Sequence, residues 1–136
     1  SDLVDEVAAA EHFVIGGDWN IAPTDADVWD VGVFDDNSTH VSVPERDALR
    51  AITDVGLRDT FRERYPDDGD LYSWWDYRGG NFHKRKGMRI DFLLSNPTLA
   101  DAVVSDLVDR NARKGTKPSD HAPVLALYNL DGGHHE

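Results

Sequence analysis

Asp18 and Asn20 stand two residues apart, just behind the apolar run Phe13-Val14-Ile15 and the pair Gly16-Gly17. If extended geometry continues past the glycines, carboxylate and amide project on one face and Trp19 on the other. Such a pair suits a hard cation or an attacking water; the competing reading is an Asx turn after the glycines. Asp91 sits inside the apolar stretch Ile90-Phe92-Leu93-Leu94. An ionised carboxylate buried without a partner is costly, so Asp91 must meet a cation or hydrogen-bond donors, and a plain structural ion pair with Arg89 would also satisfy it. Lys117-Pro118-Ser119-Asp120-His121-Ala122-Pro123 places an acid beside an imidazole in a segment restricted by prolines. Neighbouring Asp and His side chains converge on one ligand only in irregular backbone. There the carboxylate can fix the imidazole's tautomer or hold a cation, while the imidazole donates to a phosphate oxygen.

The elements that must carry these residues follow from periodicity and turn chemistry. Leu3, Val4, Val7 and Ala8 have helical spacing within residues 1–11. Phe13 to Ile15 form a short buried strand that ends at Gly16-Gly17, where the chain can turn. Pro23 to Asn37 is a long loop anchored by Trp29 and Phe34. Pro44-Glu45 opens a helix with Ala48, Leu49 and Ile52 on its apolar face, closing at Gly56, and a second short helix spans Asp59 to Tyr65. Leu71 to Tyr77 read as an aromatic strand broken by Gly79-Gly80, followed by a basic loop. Arg89 to Ser95 is a buried strand, Pro97 to Ala102 a short helix, and Val103 to Val108 and Pro123 to Tyr128 two further strands. Helices alternating with strands predict an α/β fold with a mixed sheet.

The chain has 136 residues, 40% of them hydrophobic, enough for one compact domain (1–130) and a polar tail at 131–136 whose adjacent histidines read as a chain end. The absence of cysteine excludes disulfides, thiolate nucleophiles and thiolate metal sites. No apolar run is long enough to span a membrane and the start lacks a secretory layout, so a cytoplasmic chain with no membrane partner is expected. A net charge of −12 argues against nucleic acid on average, but Arg78, His83, Lys84, Arg85, Lys86 and Arg89 cluster in one stretch. A basic patch on an acidic body is one reading, and a solvated loop the other.

Taken together, Gly17-Asp18-Trp19-Asn20-Ile21-Ala22-Pro23, Trp74-Trp75-Asp76-Tyr77-Arg78, Gly87-Met88-Arg89-Ile90-Asp91 and Lys117 to Pro123 resemble, in order and spacing, the exodeoxyribonuclease III family of the endonuclease/exonuclease/phosphatase superfamily. The resemblance runs from about Phe13 to Tyr128. It implies the C-terminal half of a DNase-I-like four-layer α/β sandwich. It also implies a Mg²⁺-dependent hydrolase, with Mn²⁺ able to substitute, that acts on double-stranded DNA at abasic sites and damaged 3′ ends. By resemblance, Asp18 activates the attacking water or handles the leaving-group proton, Asn20 orients it, and Asp91 is a positioning carboxylate. Asp18, Asn20 and Asp120 would serve the metal, with Asp120 also orienting His121 toward the scissile phosphate. Trp74 and Met88 would wall a pocket for a flipped, base-free sugar, with ordinary core packing as the alternative. Arg78, Lys84, Arg85, Lys86 and Arg89 would contact backbone phosphates.

The family's domain is longer than this chain. Its first half supplies a metal-anchoring Glu, an Asn and an active-site Tyr, roles to which no residue here is assigned. The expectation is a site completed by a missing N-terminal half, and an apolar sheet face that seeks a partner. The alternative from another class is a noncatalytic half-domain that binds DNA or a protein. A phosphoinositide-type substrate is a third reading, disfavoured by the Trp-Trp-Asp-Tyr-Arg stretch and the basic loop.

Overall fold

Apolar residues at helical spacing, a capping box and a few close glycine contacts account for most of the architecture. A computed structural model describes residues 2–30, 40–69, 71–75, 82, 86–113 and 119–130. Helix α1 (Asp2–Ala9) turns Val7 into a core that also holds Leu49, Leu57, Phe92 and Leu94. Helix α2 (Val43–Thr53) begins one residue before the expected Pro44, because Ser42 is its N-cap. The Ser42 hydroxyl accepts the Glu45 N–H and donates to Glu45 Oε1 at 2.7 Å, which satisfies donors that the first turn leaves open. Gly56, at φ +112°, ends this region in a conformation that L side chains resist.

Strand β1 (Val14–Asp18) pairs antiparallel with β5 (Asp91–Ser95), in a register running from Val14↔Ser95 to Asp18↔Asp91. β1 therefore does not stop at the glycines. A Cβ on Gly16 would lie 2.2 Å from Leu93 Cδ2, so this glycine serves close strand packing rather than a turn. On the other edge of β5 lies the two-residue strand β2 (Arg58–Asp59), which runs into helix α3 (Thr60–Arg64), capped by Asp59. Strands β3 (Trp74–Trp75) and β4 (Gly87–Met88) form a second ladder, so part of the expected basic loop is strand. Helix α4 (Pro97–Ala100) is capped by Asn96, and β6 (Val103–Val108) pairs with β7 (Val124–Tyr128). The predicted mixed directions are not seen among the described residues, where every ladder is antiparallel.

Arg89 is 1% exposed and lies at the centre of a buried ion network. Its guanidinium donates to Asp27 at 2.6 Å and to both carboxylate oxygens of Asp59, at 3.1 and 2.5 Å, and Arg62 shares Asp27. Burial alone would push Asp27 up, but the two guanidiniums outweigh it and hold the carboxyl below its ordinary value. On the outer side of the β6–β7 ladder, Leu107 faces Leu125, and Leu127, two residues on, is 62% exposed. That row of leucines is left open to solvent. No described helix is long and apolar enough to cross a membrane.

Candidate active site

The β1–β5 register puts Asp18, the last residue of one strand, directly opposite Asp91, the first of the other. His121 reaches them from the segment before β7, and its Nδ1 lies 2.7 Å from Asp91 Oδ2. An ionised carboxylate only accepts, so Nδ1 carries the proton and Nε2 is left to face the site. Nε2 is 3.7 Å from Asp18 Oδ2 and 3.8 Å from Asp120 Oδ1. Asp91 is thus satisfied by His121 and not by Arg89, which is committed to Asp27 and Asp59.

Backbone pairing holds His121 in place. Trp74 bridges His121, the Trp75 N–H donates to the Asp120 carbonyl at 3.1 Å, and the Ala122 N–H donates to the Ser73 carbonyl at 2.7 Å. The indole Nε1–H of Trp74 donates to Asp120 Oδ2 at 3.1 Å, leaving Oδ1 turned toward the imidazole. Ser73 is fully buried, and its hydroxyl oxygen accepts the N–H groups of Ile90 and Asp91, each at 3.0 Å. Burial pushes Asp91 above the ordinary carboxylate range; hydrogen bonds from His121 and Ser73 pull it back, and the neighbouring Asp18 charge pushes it up again.

Asn20 departs from the extended geometry that would have set it beside Asp18. It has left-handed backbone, φ +55°, and its N–H donates to Asp18 Oδ1 at 3.0 Å. The Asx turn therefore forms, and it leaves Asp18 Oδ2 free to face His121. Among the described residues, Asp18, Asp91 and His121 offer ligand atoms within 4.8 Å of one another. Carboxylate oxygens with one imidazole fit a hard divalent cation, and the mutual repulsion of Asp18 and Asp91 favours one there.

Trp74 and Met88 face each other across β3–β4 and pack with Ala22, Val28 and Ile90, so Met88 is core as well as a neighbour of the site. Lys86 lies 5.0 Å above the Trp29 ring. Arg78, Lys84 and Arg85 lie outside the described residues. The expectation that Arg89 contacts DNA phosphate is corrected: a guanidinium saturated by two carboxylates and closed to solvent has nothing to offer a duplex. Ser73, Asp27 and Asp59 were not singled out from sequence. Ser73 is hidden in an aromatic run, and Asp59 read only as a helix start.

An α/β scaffold thus gathers carboxylates around one imidazole at strand ends. Residues 2–121 match the sequence model of the Endonuclease/Exonuclease/phosphatase family, and the chain belongs to that family. It is 37% identical over 123 residues to the exodeoxyribonuclease III of Haemophilus influenzae, covering 85% of this chain and 45% of that protein. Identity to the exodeoxyribonuclease of Bacillus subtilis is 31% over 125 residues, covering 92% and 48%. Among solved structures, it is similar to a 3′ phosphatase of Neisseria bound to product DNA hairpin, with a TM-score of 0.90 and 38% identity, covering 94% of this chain and 49% of that one. An AP endonuclease from Archaeoglobus fulgidus gives a TM-score of 0.80 at 28% identity, with 94% and 52% covered. These likenesses give the chain a DNase-I-like α/β fold. It spans about half the length of the curated relatives it matches.

Proposed function

We propose that this chain carries the Asp18–Asp91–His121 part of a Mg²⁺-dependent DNA phosphodiester hydrolase that incises at abasic sites and trims damaged 3′ ends. The 2.7 Å Asp91–His121 contact supports the reading most, since it aims Nε2 into a space flanked by Asp18 and Asp120. In the proposed reaction a water oxygen bonds to phosphorus, the scissile P–O bond breaks, and a proton passes from the water to the leaving oxygen. Asp18 Oδ2 takes or relays that proton, and Asn20 orients the water. His121, when it carries a second proton on Nε2, donates from that atom to a non-bridging oxygen, with Asp91 holding the ring through Nδ1. In this reading Asp18 and Asp120 would hold the cation, which when bound would neutralise charge on the phosphoryl group. Trp74 and Met88 wall the place of a base-free sugar, and Lys86 with Arg78, Lys84 and Arg85 meets the duplex backbone. A further segment of the domain, preceding this one, completes the site and covers Leu125 and Leu127. A cytoplasmic location belongs to the same proposal and rests on sequence alone.

A second reading, a noncatalytic half-domain that binds DNA or a protein, is favoured by the half-length match and the open leucine row. Cleavage of a labelled duplex carrying one abasic analogue decides between them. The full-length protein should cut in Mg²⁺ and not with chelator, and Asp18→Asn should slow it by several orders of magnitude. Binding without metal-dependent cutting would establish the second reading instead.

A further inference from the structure

Two non-glycine residues among those described have left-handed backbone, Asn20 at φ +55° and His40 at φ +77°, and they are bonded to each other. The His40 ring Nδ1 lies 2.6 Å from the Asn20 carbonyl oxygen, so it is the donor. The His40 carbonyl in turn accepts the Ala22 N–H at 2.8 Å. Asn20 is therefore gripped on both sides of its Cα, its N–H by Asp18 Oδ1 and its C=O by His40. His40 is itself anchored. Two residues on, Ser42 opens the capping box of α2 with Glu45, and the His40 ring lies 6.3 Å from that of Trp74, inclined by 37°. Left-handed backbone is uncommon in a residue with a Cβ, though Asn and His adopt it more readily than most, and such positions gather at functional sites.

We infer that His40 is a positioning residue that fixes the direction of the Asn20 side chain, coupling the start of α2 to the floor of the site. The inference rests on the nuclease reading, because it matters only if Asn20 orients the attacking water. His40 touches no reacting atom. Its contribution is to remove the freedom by which the Asn20 peptide could swing out of its turn, and small misplacements of reacting groups are expensive in rate.

Two variants of the full-length protein separate this role from folding. Glycine adopts φ +77° without strain, so His40→Gly keeps the backbone path and deletes only the donor and the ring. Asparagine also tolerates left-handed backbone, and its amide restores an N–H close to the position of Nδ1. On a labelled duplex with one abasic analogue in Mg²⁺, His40→Gly should lower kcat by at least about tenfold and leave KM within about twofold. His40→Asn should recover most of the loss. The ¹³C shift of the Asn20 carbonyl should move in His40→Gly and return toward its starting value in His40→Asn. Unchanged kcat in His40→Gly, a loss confined to KM, or equal losses in both variants would overturn the inference while the nuclease reading stands. Failure of the unsubstituted protein to cut would overturn both.

Discussion

Asp91 shows how much of this site is decided by single side chains. A carboxylate half-sunk in an apolar strand is held by one imidazole, one hydroxyl and the end of a ladder. Ser73→Ala removes the oxygen that receives two buried N–H groups, and should cost about 2 kcal/mol in urea unfolding. His121→Asn should leave stability within about 1 kcal/mol but reduce turnover in the proposed reaction by orders of magnitude, read by single-turnover cleavage. Asp27 contributes to the pH dependence of stability. Because its folded carboxyl is held below the ordinary 3.8, its contribution is complete above that value and is lost as pH falls through the lower, folded one. Asp27→Asn should therefore be less stable than the parent at neutral pH, and the gap should narrow below pH 3.8 in acid unfolding curves. Sequence reading found Asp18, Asp91, Asp120 and His121, because an acid in an apolar strand or beside a histidine between prolines is visible in one dimension. It mistook Arg89 for a surface cation because its partners, Asp27 and Asp59, are 62 and 30 residues away along the chain.

Elements were legible in proportion to their length and their punctuation. Pro44-Glu45 and Pro97 announce α2 and α4, although the Ser42 cap of α2 was missed, and β6 and β7 follow their apolar runs. β2 and β4 were missed, and β3 is shorter among the described residues than the strand expected, because two residues show no period. Gly16-Gly17 was misread for a different reason: glycine is used both where the chain must turn and where nothing larger fits. Gly87 is of the second kind. A Cβ there would lie 2.6 Å from the Trp74 carbonyl oxygen and 2.5 Å from Trp75 Nε1, so Gly87→Ala must spread β3 from β4. The loss should be about 2 kcal/mol of stability, and the Trp74 indole should shift away from Asp120, followed by tryptophan fluorescence or its indole N–H resonance.

At the scale of the molecule, the fold depends on surfaces that these elements leave open as well as on those they close. The half-length resemblance led to an expected apolar sheet face without its partner, with no residues named; the β6–β7 ladder carries the exposed leucines Leu107, Leu125 and Leu127. Leu125→Glu with Leu127→Glu should lower hydrophobic-dye binding by the isolated chain, with little change in its own unfolding midpoint, and should weaken the full-length protein wherever another segment covers that row. The net charge of −12 argues on average against a nucleic-acid partner, so the proposed one rests on a local cluster of basic residues that the average conceals. The rung at which Asp18 meets Asp91 sets one more constraint. Strand faces alternate residue by residue, so a single insertion or deletion between Val14 and Asp18 would turn the Asp18 carboxylate to the far side of the sheet, away from Asp91 and His121. Outside Gly16 and Asp18, descendants of this sequence can drift in composition along β1, but its length is inherited with a fixed parity and can change only in twos or through a compensating bulge.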